Sequence, residues 1–313
     1  MSDEGALQFA RYAYPPNELG YCGPDGAHEM LVPGAVAEIE RRARLFDGAW
    51  VYLEFLAGVL GTDDPLSTPV VEAYWIGTDL LDAVDPAALV DHLRTAFDGQ
   101  VGGTWRESAA RARAHHSYQV FEVYPWAAML LRGLPPGPAV SVLDRCRIRP
   151  GVVSEVHGEW AVVTSSLLTW DGDSLTPSSP RVEDARWAVD GHSLLSPPAV
   201  GDTVALHWDW VCDVLTPTQA DRIQRIESDQ RSAVGLGGSG EAPLGASMTA
   251  TDTSAVRPAA IPSRLGVLES GCLVTPWSAP APRVGADVVD DLLEVEPGPG
   301  DVVAQHGHGA GRS

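Results

Sequence analysis

Cys146 stands in the run Asp144-Arg145-Cys146-Arg147-Ile148-Arg149-Pro150-Gly151-Val152-Val153, where three cations flank one thiol. A thiol beside guanidinium groups ionises more readily, and a thiolate is a good soft ligand for iron. Further along, Gly201-Asp202-Thr203-Val204-Ala205-Leu206-His207 sets an imidazole at the end of a short apolar run. Such an imidazole can hydrogen-bond a thiolate or a ligand on its metal. Elsewhere Cys22 and His28 lie on or beside the glycine-rich stretch Gly20-Tyr21-Cys22-Gly23-Pro24-Asp25-Gly26. His115 and His116 precede Tyr118, Phe121, Tyr124 and Trp126. Adjacent helical side chains point about 100° apart, so this pair does not face one metal easily. Packing, capping or surface roles are expected for these histidines and for Cys22. Glu54 and Glu122 fall within apolar runs. A buried carboxylate must be paired or shifted in pKa, and an ion pair with an arginine is the expectation. Near the C-terminus, Cys272 and the histidines His306 and His308 are weaker candidates.

The elements that must hold these residues change character along the chain. Up to about residue 140 the apolar spacing is helical. Helices are expected over Ala6–Tyr14, stopped by Pro15-Pro16, and over Ala35–Phe46 and Trp50–Leu60. Thr68-Pro69 and Asp85-Pro86 open two more, to Leu81 and about Phe97, with proline where its missing N–H costs nothing. A helical stretch Glu107–Arg113 and an apolar, aromatic one over His115–Leu131 complete an all-α domain of five to seven helices. From Ser141 the pattern becomes short strands. Val152–Val156 and Trp160–Val163 are joined at His157-Gly158-Glu159, followed by Leu167–Trp170, Arg181–Val189 with a hairpin signal at Asp190-Gly191, and Thr203–Trp208. Strands at this spacing predict a small closed barrel, because closure removes exposed edges. Thr216-Pro217 then starts a helix carrying Ile223 and Ile226 on one face. The expected organisation is α+β: 1–140 all-α, 141–229 barrel plus helix, 230–264 a Gly/Ser/Ala/Thr/Pro-rich disordered linker, and 265–313 a short β-rich tail.

Charge narrows the partners. Twenty-one basic residues stand against forty-two acidic, a net charge of −21 over 313 residues. Such a chain repels nucleic acid and anionic membranes. The start MSDEGALQFARYAYPP is acidic, with no apolar run before a small-residue cleavage site, and no stretch nears the ~18 apolar residues of a membrane span. Four scattered cysteines with no CxxC predict free thiols in a reducing, cytoplasmic setting.

The order Cys-x-x-x-Pro-Gly-x-Val, short strands, Gly-Asp-x-Val-x-x-His and a helix resembles the HypC/HupF family of nickel–iron hydrogenase assembly chaperones. The resemblance covers about Asp144–Asp229. It implies a small OB-like barrel with a C-terminal helix. It implies that Cys146, matching the family's motif cysteine, carries or contacts iron bearing cyanide and carbonyl ligands, an Fe(CN)2CO group in transit. It also implies that Pro150-Gly151 forms the following turn, that His207 is the histidine of the later strand, and that Arg145, Arg147 and Arg149 support the thiolate. The implied partners are a hydrogenase large-subunit precursor and an iron–sulfur scaffold protein. In that family the cysteine opens the mature chain, whereas here 145 residues precede it. Cys272-Leu273-Val274-Thr275-Pro276 and Gly300-Asp301-Val302-Val303-Ala304-Gln305-His306 repeat the two intervals, as a degenerate second copy or by chance, with the copy the favoured expectation.

The leading expectation is thus a non-enzymatic maturation factor for nickel–iron hydrogenase. One alternative is an enzyme with its site in the helical domain around Cys22, Glu54, His115 and Glu122. The other is a plain protein-interaction module. The sequence contains no nucleophile elbow, phosphate loop, dinucleotide fingerprint or HExxH zinc motif.

Overall fold

The computed structural model describes residues 3–97, 103–106 and 109–238. Helix α1 (Asp3–Glu18) buries Ala6, Phe9, Ala10 and Ala13 along one helical stripe. It runs through Pro15 and Pro16 rather than stopping there. Proline removes a donor but keeps its carbonyl, and in this last turn Pro15 O accepts from Leu19 N and Pro16 O from Tyr21 N. Gly5 is required where α1 crosses the next layer, since a Cβ there would strike the backbone of Leu66–Thr68. Helices α2 (Val36–Ala43), α3 (Asp47–Leu60) and α5 (Pro86–Ala96) lie where the spacing predicts. Helix α4 (Thr68–Trp75) ends well before Leu81, because Gly77 takes a left-handed φ of 91° and a 3-10 turn, Asp79–Ala83, follows.

The stretch expected as one helix over His115–Leu131 is three pieces. A short α6 (His116–Tyr118) runs into a π-helical turn, Gln119–Val123, and α7 (Trp126–Leu131) begins after Pro125. The Glu107–Arg113 stretch is a 3-10 turn at Ala109–Arg111 among the described residues. Helix α8 (Pro136–Cys146) occupies the place where the period was expected to change to strand. Cys146 therefore closes a helix and does not begin a strand.

Strands β1 (Arg149–His157), β2 (Trp160–Ser165), β5 (Arg181–Arg186), β6 (Thr203–His207) and β7 (Trp210–Val214) form a closed barrel in the order β1-β2-β5-β7-β6. Strands β3 (Leu168–Trp170) and β4 (Leu175–Pro177) lie outside it as a separate hairpin. Pro150 and Gly151 sit within β1, opposite Ala205 and Val204, and are not a turn. A Cβ at Gly151 would lie 2.5 Å from Val163 Cγ1, so glycine there lets the barrel interior close. Helix α9 (Pro217–Ala233) starts at a capping box formed by Thr216 and Gln219, and it runs past the expected end at Asp229. Within it Glu227 joins two buried arginines, Arg231 Nε at 2.7 Å and Arg147 Nη1 at 3.6 Å, which fastens the helix to the end of α8.

Strand β6 decides where the chemistry lies. Its side chains alternate, yet both faces are buried. Val204 and Leu206 fill the barrel interior with Val153, Ala161, Val163, Ala185 and Val211. Ala205 joins the helical core with Phe9, Tyr12, Trp75, Ile148 and Cys212. His207, in phase with Ala205, faces the seam between helices and barrel. No helix among the described residues is long and apolar enough to cross a membrane. The predicted tail strands, Cys272, His306 and His308, and the linker beyond residue 238 lie outside the described residues.

Candidate metal centre

Three elements deliver three ligand-type side chains to this seam. His115 is the N-cap of α6, and its Nδ1 accepts from Ser117 N at 3.0 Å. His116, the next residue, is buried beside it. Cys146 is the last residue of α8 and His207 the last of β6. One ligand atom from each of His116, Cys146 and His207 lies within 4.8 Å of the others. Cys146 Sγ is 4.0 Å from His116 Nε2. A tetrahedral ion with ordinary Zn–S and Zn–N bonds would hold such a pair about 3.5 Å apart. Closing that pair takes a contraction of roughly half an ångström, and His207 must also close in from within 4.8 Å.

All three residues are buried, at 5%, 7% and 1% exposure for His116, Cys146 and His207. Their hydrogen bonds fix the tautomers, because a carbonyl can only accept. His207 Nδ1 donates to Tyr12 O at 2.7 Å, so its Nε2 carries the lone pair. That Nε2 is buried and has no hydrogen-bond partner. Metal-binding histidines are held in this way, with a backbone carbonyl orienting the ring through the other nitrogen. His116 Nε2 donates to Cys146 O at 2.8 Å, and its Nδ1 lies 3.4 Å from the Tyr74 hydroxyl, which donates to Gly48 O at 3.4 Å. To ligate through Nε2, His116 must give up that carbonyl and its proton.

Burial sets the protonation. It lowers His116 to about 4 and His115 to about 3, and it holds His207 well below the usual imidazole range. Burial also pushes the Cys146 thiol up. The expectation that Arg145, Arg147 and Arg149 lower this thiol is therefore corrected. Arg147 pairs with Asp144 at 3.1 Å, Arg149 pairs with Glu183 at 2.7 Å, and Arg145 is exposed. A bound cation would supply the missing positive charge and release the thiol proton. Aromatic rings wall the cluster. Trp75 lies 4.7 Å from His116 and 5.8 Å from His207, the two imidazoles are 5.1 Å apart, and Tyr12 stacks on Trp75.

Residues 1–236 match one family model. The chain belongs to DUF6390, a family of unknown function. The DUF6390 match takes in both the helices and the barrel, and with them His116, Cys146 and His207. No curated protein and no solved structure matches the chain.

In this DUF6390 chain the remaining candidates are scattered. Cys22 is half-buried, with its thiol pushed up to about 12 by burial, and His28 is exposed. Glu54 points to solvent. Glu122 is fully buried in the π-helical turn. It accepts from Arg111 at 2.7 and 3.1 Å, from Gln230 at 3.2 Å and from Thr104 Oγ1, which is the expected arginine pair. His116 is the member of the cluster that sequence reasoning missed. Its one sequence signal is the doubled histidine, where the first caps the helix and the second turns in.

Proposed function

We propose that this protein is a metal-binding protein holding one transition-metal ion between His116, Cys146 and His207. The observation that carries this reading is His207 Nε2, a buried lone pair without a partner, oriented through Nδ1 and convergent with a thiol and a second imidazole. Two imidazoles and a thiolate suit Zn(II), Fe(II) or copper rather than the oxygen-seeking Mg(II) and Ca(II). Three protein ligands leave one position of a tetrahedron for a further donor. Cys146→Ser, His116→Ala and His207→Ala, purified beside the wild type, test the assignment by elemental analysis. About one ion per chain in the wild type, lost in each folded variant, is expected. Cobalt(II) titration adds a second readout, since a thiolate ligand gives an intense near-ultraviolet charge-transfer band that Cys146→Ser should abolish. Equal metal content in all four proteins would sink the reading.

Hydrogenase maturation stands as a second reading. It is supported by the adjacency of Cys146 and His207, the pair that the HypC/HupF resemblance singles out. Burial weighs against a carrier that hands its iron on, because such a ligand must reach its partner and Cys146 is 7% exposed. Infrared cyanide and carbonyl bands on protein purified anaerobically from a hydrogenase-expressing host, absent in Cys146→Ser, would favour it. The large-subunit precursor would then co-purify.

A further inference from the structure

A groove of about 760 Å³ runs between α8 and β3, with Arg181 and Asp184 of β5 on its far wall. Its helix side presents Gly137, Val140, Ser141 and Asp144, one stripe of α8. Gly137 faces open space, since a Cβ there would meet nothing within 4 Å. The strand side is an unpaired sheet edge. Thr169 pairs with Thr176, flanked by the bonds from Asp171 N to Ser174 O and from Ser178 N to Leu167 O. In an antiparallel ladder the residues between such pairs turn their N–H and C=O outward. The backbone groups of Leu168 and Trp170 therefore point away from β4. Leu168 N donates to Asp144 Oδ1 at 2.6 Å, so this edge faces α8. Leu168 O, Trp170 N–H and Trp170 O have no hydrogen-bond partner among the described residues. The other edge of the hairpin is covered. Leu175 N donates to Leu236 O at 2.8 Å, and Leu175 O accepts from Arg231 Nη1.

A donor and acceptors at strand spacing are matched by another extended backbone. The chain's own continuation is within reach. Its described part ends at Gly238, where a Cβ would lie 2.9 Å from Thr176 Cγ2 of the same hairpin. A strand beside β3 lies about 10 Å from β4, and residues 239–264 supply up to about 85 Å of chain. Charge selects the segment. Arg145 and Arg181 balance Asp184 and Asp209, and none of the four makes an ion pair among the described residues. Leu265-Gly266-Val267-Leu268 is apolar and bracketed by Arg264 and Glu269, so it is balanced too. Val288–Val295 would bring Asp290, Asp291 and Glu294 to a groove that already holds two free carboxylates.

We propose that Arg264–Glu269 of this same chain lies in the groove as a third strand on the free edge of β3. The strand forms with or without a bound metal. The test is amide hydrogen exchange, read by NMR on chelator-treated full-length protein. The Trp170 amide should exchange at least about tenfold more slowly in the wild type than in Leu265→Asp/Val267→Asp, which changes tail residues alone and puts two charges into the apolar contact. Gly137→Leu, whose side chain would enter open space and fill the groove, should free the same amide. Thr169, paired with Thr176, is the control and should be equally protected in all three proteins. Protection of Trp170 that survives either variant would overturn the proposal. Survival in the tail variant would mean that another segment or a second copy fills the groove, and survival in Gly137→Leu that the tail lies elsewhere. A Trp170 amide already fast in the wild type would overturn it as well.

Discussion

At the scale of single residues, the seam histidines carry a measurable burden. His115, His116 and His207 are weaker bases in the folded protein than in the unfolded chain, because burial disfavours the charged imidazole. As pH falls, the unfolded chain takes up protons first. The stability of chelator-treated protein is then full above the ordinary imidazole value of 6.5 and is lost as pH falls from there towards about 4 for His116. The loss should be on the order of 2 kcal/mol per histidine at pH 5. Urea unfolding at pH 7 and pH 5 measures it, and a flat profile would contradict burial of neutral rings. Glu122→Gln is the second residue-scale prediction. It removes the buried carboxylate that Arg111, Gln230 and Thr104 all donate to and should cost about 3 kcal/mol, read from the urea midpoint. The sequence made Cys146 and His207 visible through motif spacing, and Glu122 through its apolar surroundings. It could not show that Cys146 is buried or that its arginines turn elsewhere. Asp144, Glu183 and Glu227 decide that, and two of those three lie far along the chain.

At the scale of elements, local chemistry was the legible part. Thr216 and Gln219 form the cap that Thr-Pro implied, and Thr216→Ala should cost about 1 kcal/mol in thermal or urea unfolding. Gly158 makes the β1–β2 turn at a φ of 57°, and Asp190-Gly191 makes a second turn with two positive φ values. Errors came where distant contacts override local preference. Pro15 and Pro16 look like a stop but are buried in the last turn of α1. Strands were expected from Ser141, yet Pro136, Gly137 and Pro138 start α8, where proline near a helix N-terminus needs no N–H. Strand β7 went unseen because Trp210-Val211-Cys212 follows β6 across a tight turn at Trp208, a non-glycine residue at a φ of 56°. A bulky side chain in that region gives no sequence cue for a turn.

At the scale of the whole molecule, the helices and the barrel share one core. Ile148, Ala205, Trp210, Cys212 and Leu215 from the barrel end are buried among Phe9, Tyr12, Leu53 and Trp75. Unfolding should therefore be one transition. Far-ultraviolet circular dichroism, weighted to helix, and tryptophan emission should give coincident midpoints. Two separated midpoints would show that the seam is not cooperative. A metal bound at the seam should raise that single midpoint, by about 2.7 kcal/mol at a free-ion level one hundred times Kd, and should leave His207→Ala unmoved.

The burial of that seam also sets a clock. An ion among His116, Cys146 and His207 would be enclosed by Trp75, Tyr12 and the strand that carries His207 itself. Exchange with the medium would then wait for the helices and barrel to part, and isotope replacement would run at the rate of that opening rather than at the rate of a surface site. On the ribosome His207 is the last of the three to emerge. The centre would be filled as the chain closes around it, and the ion's residence time would report the lifetime of the fold.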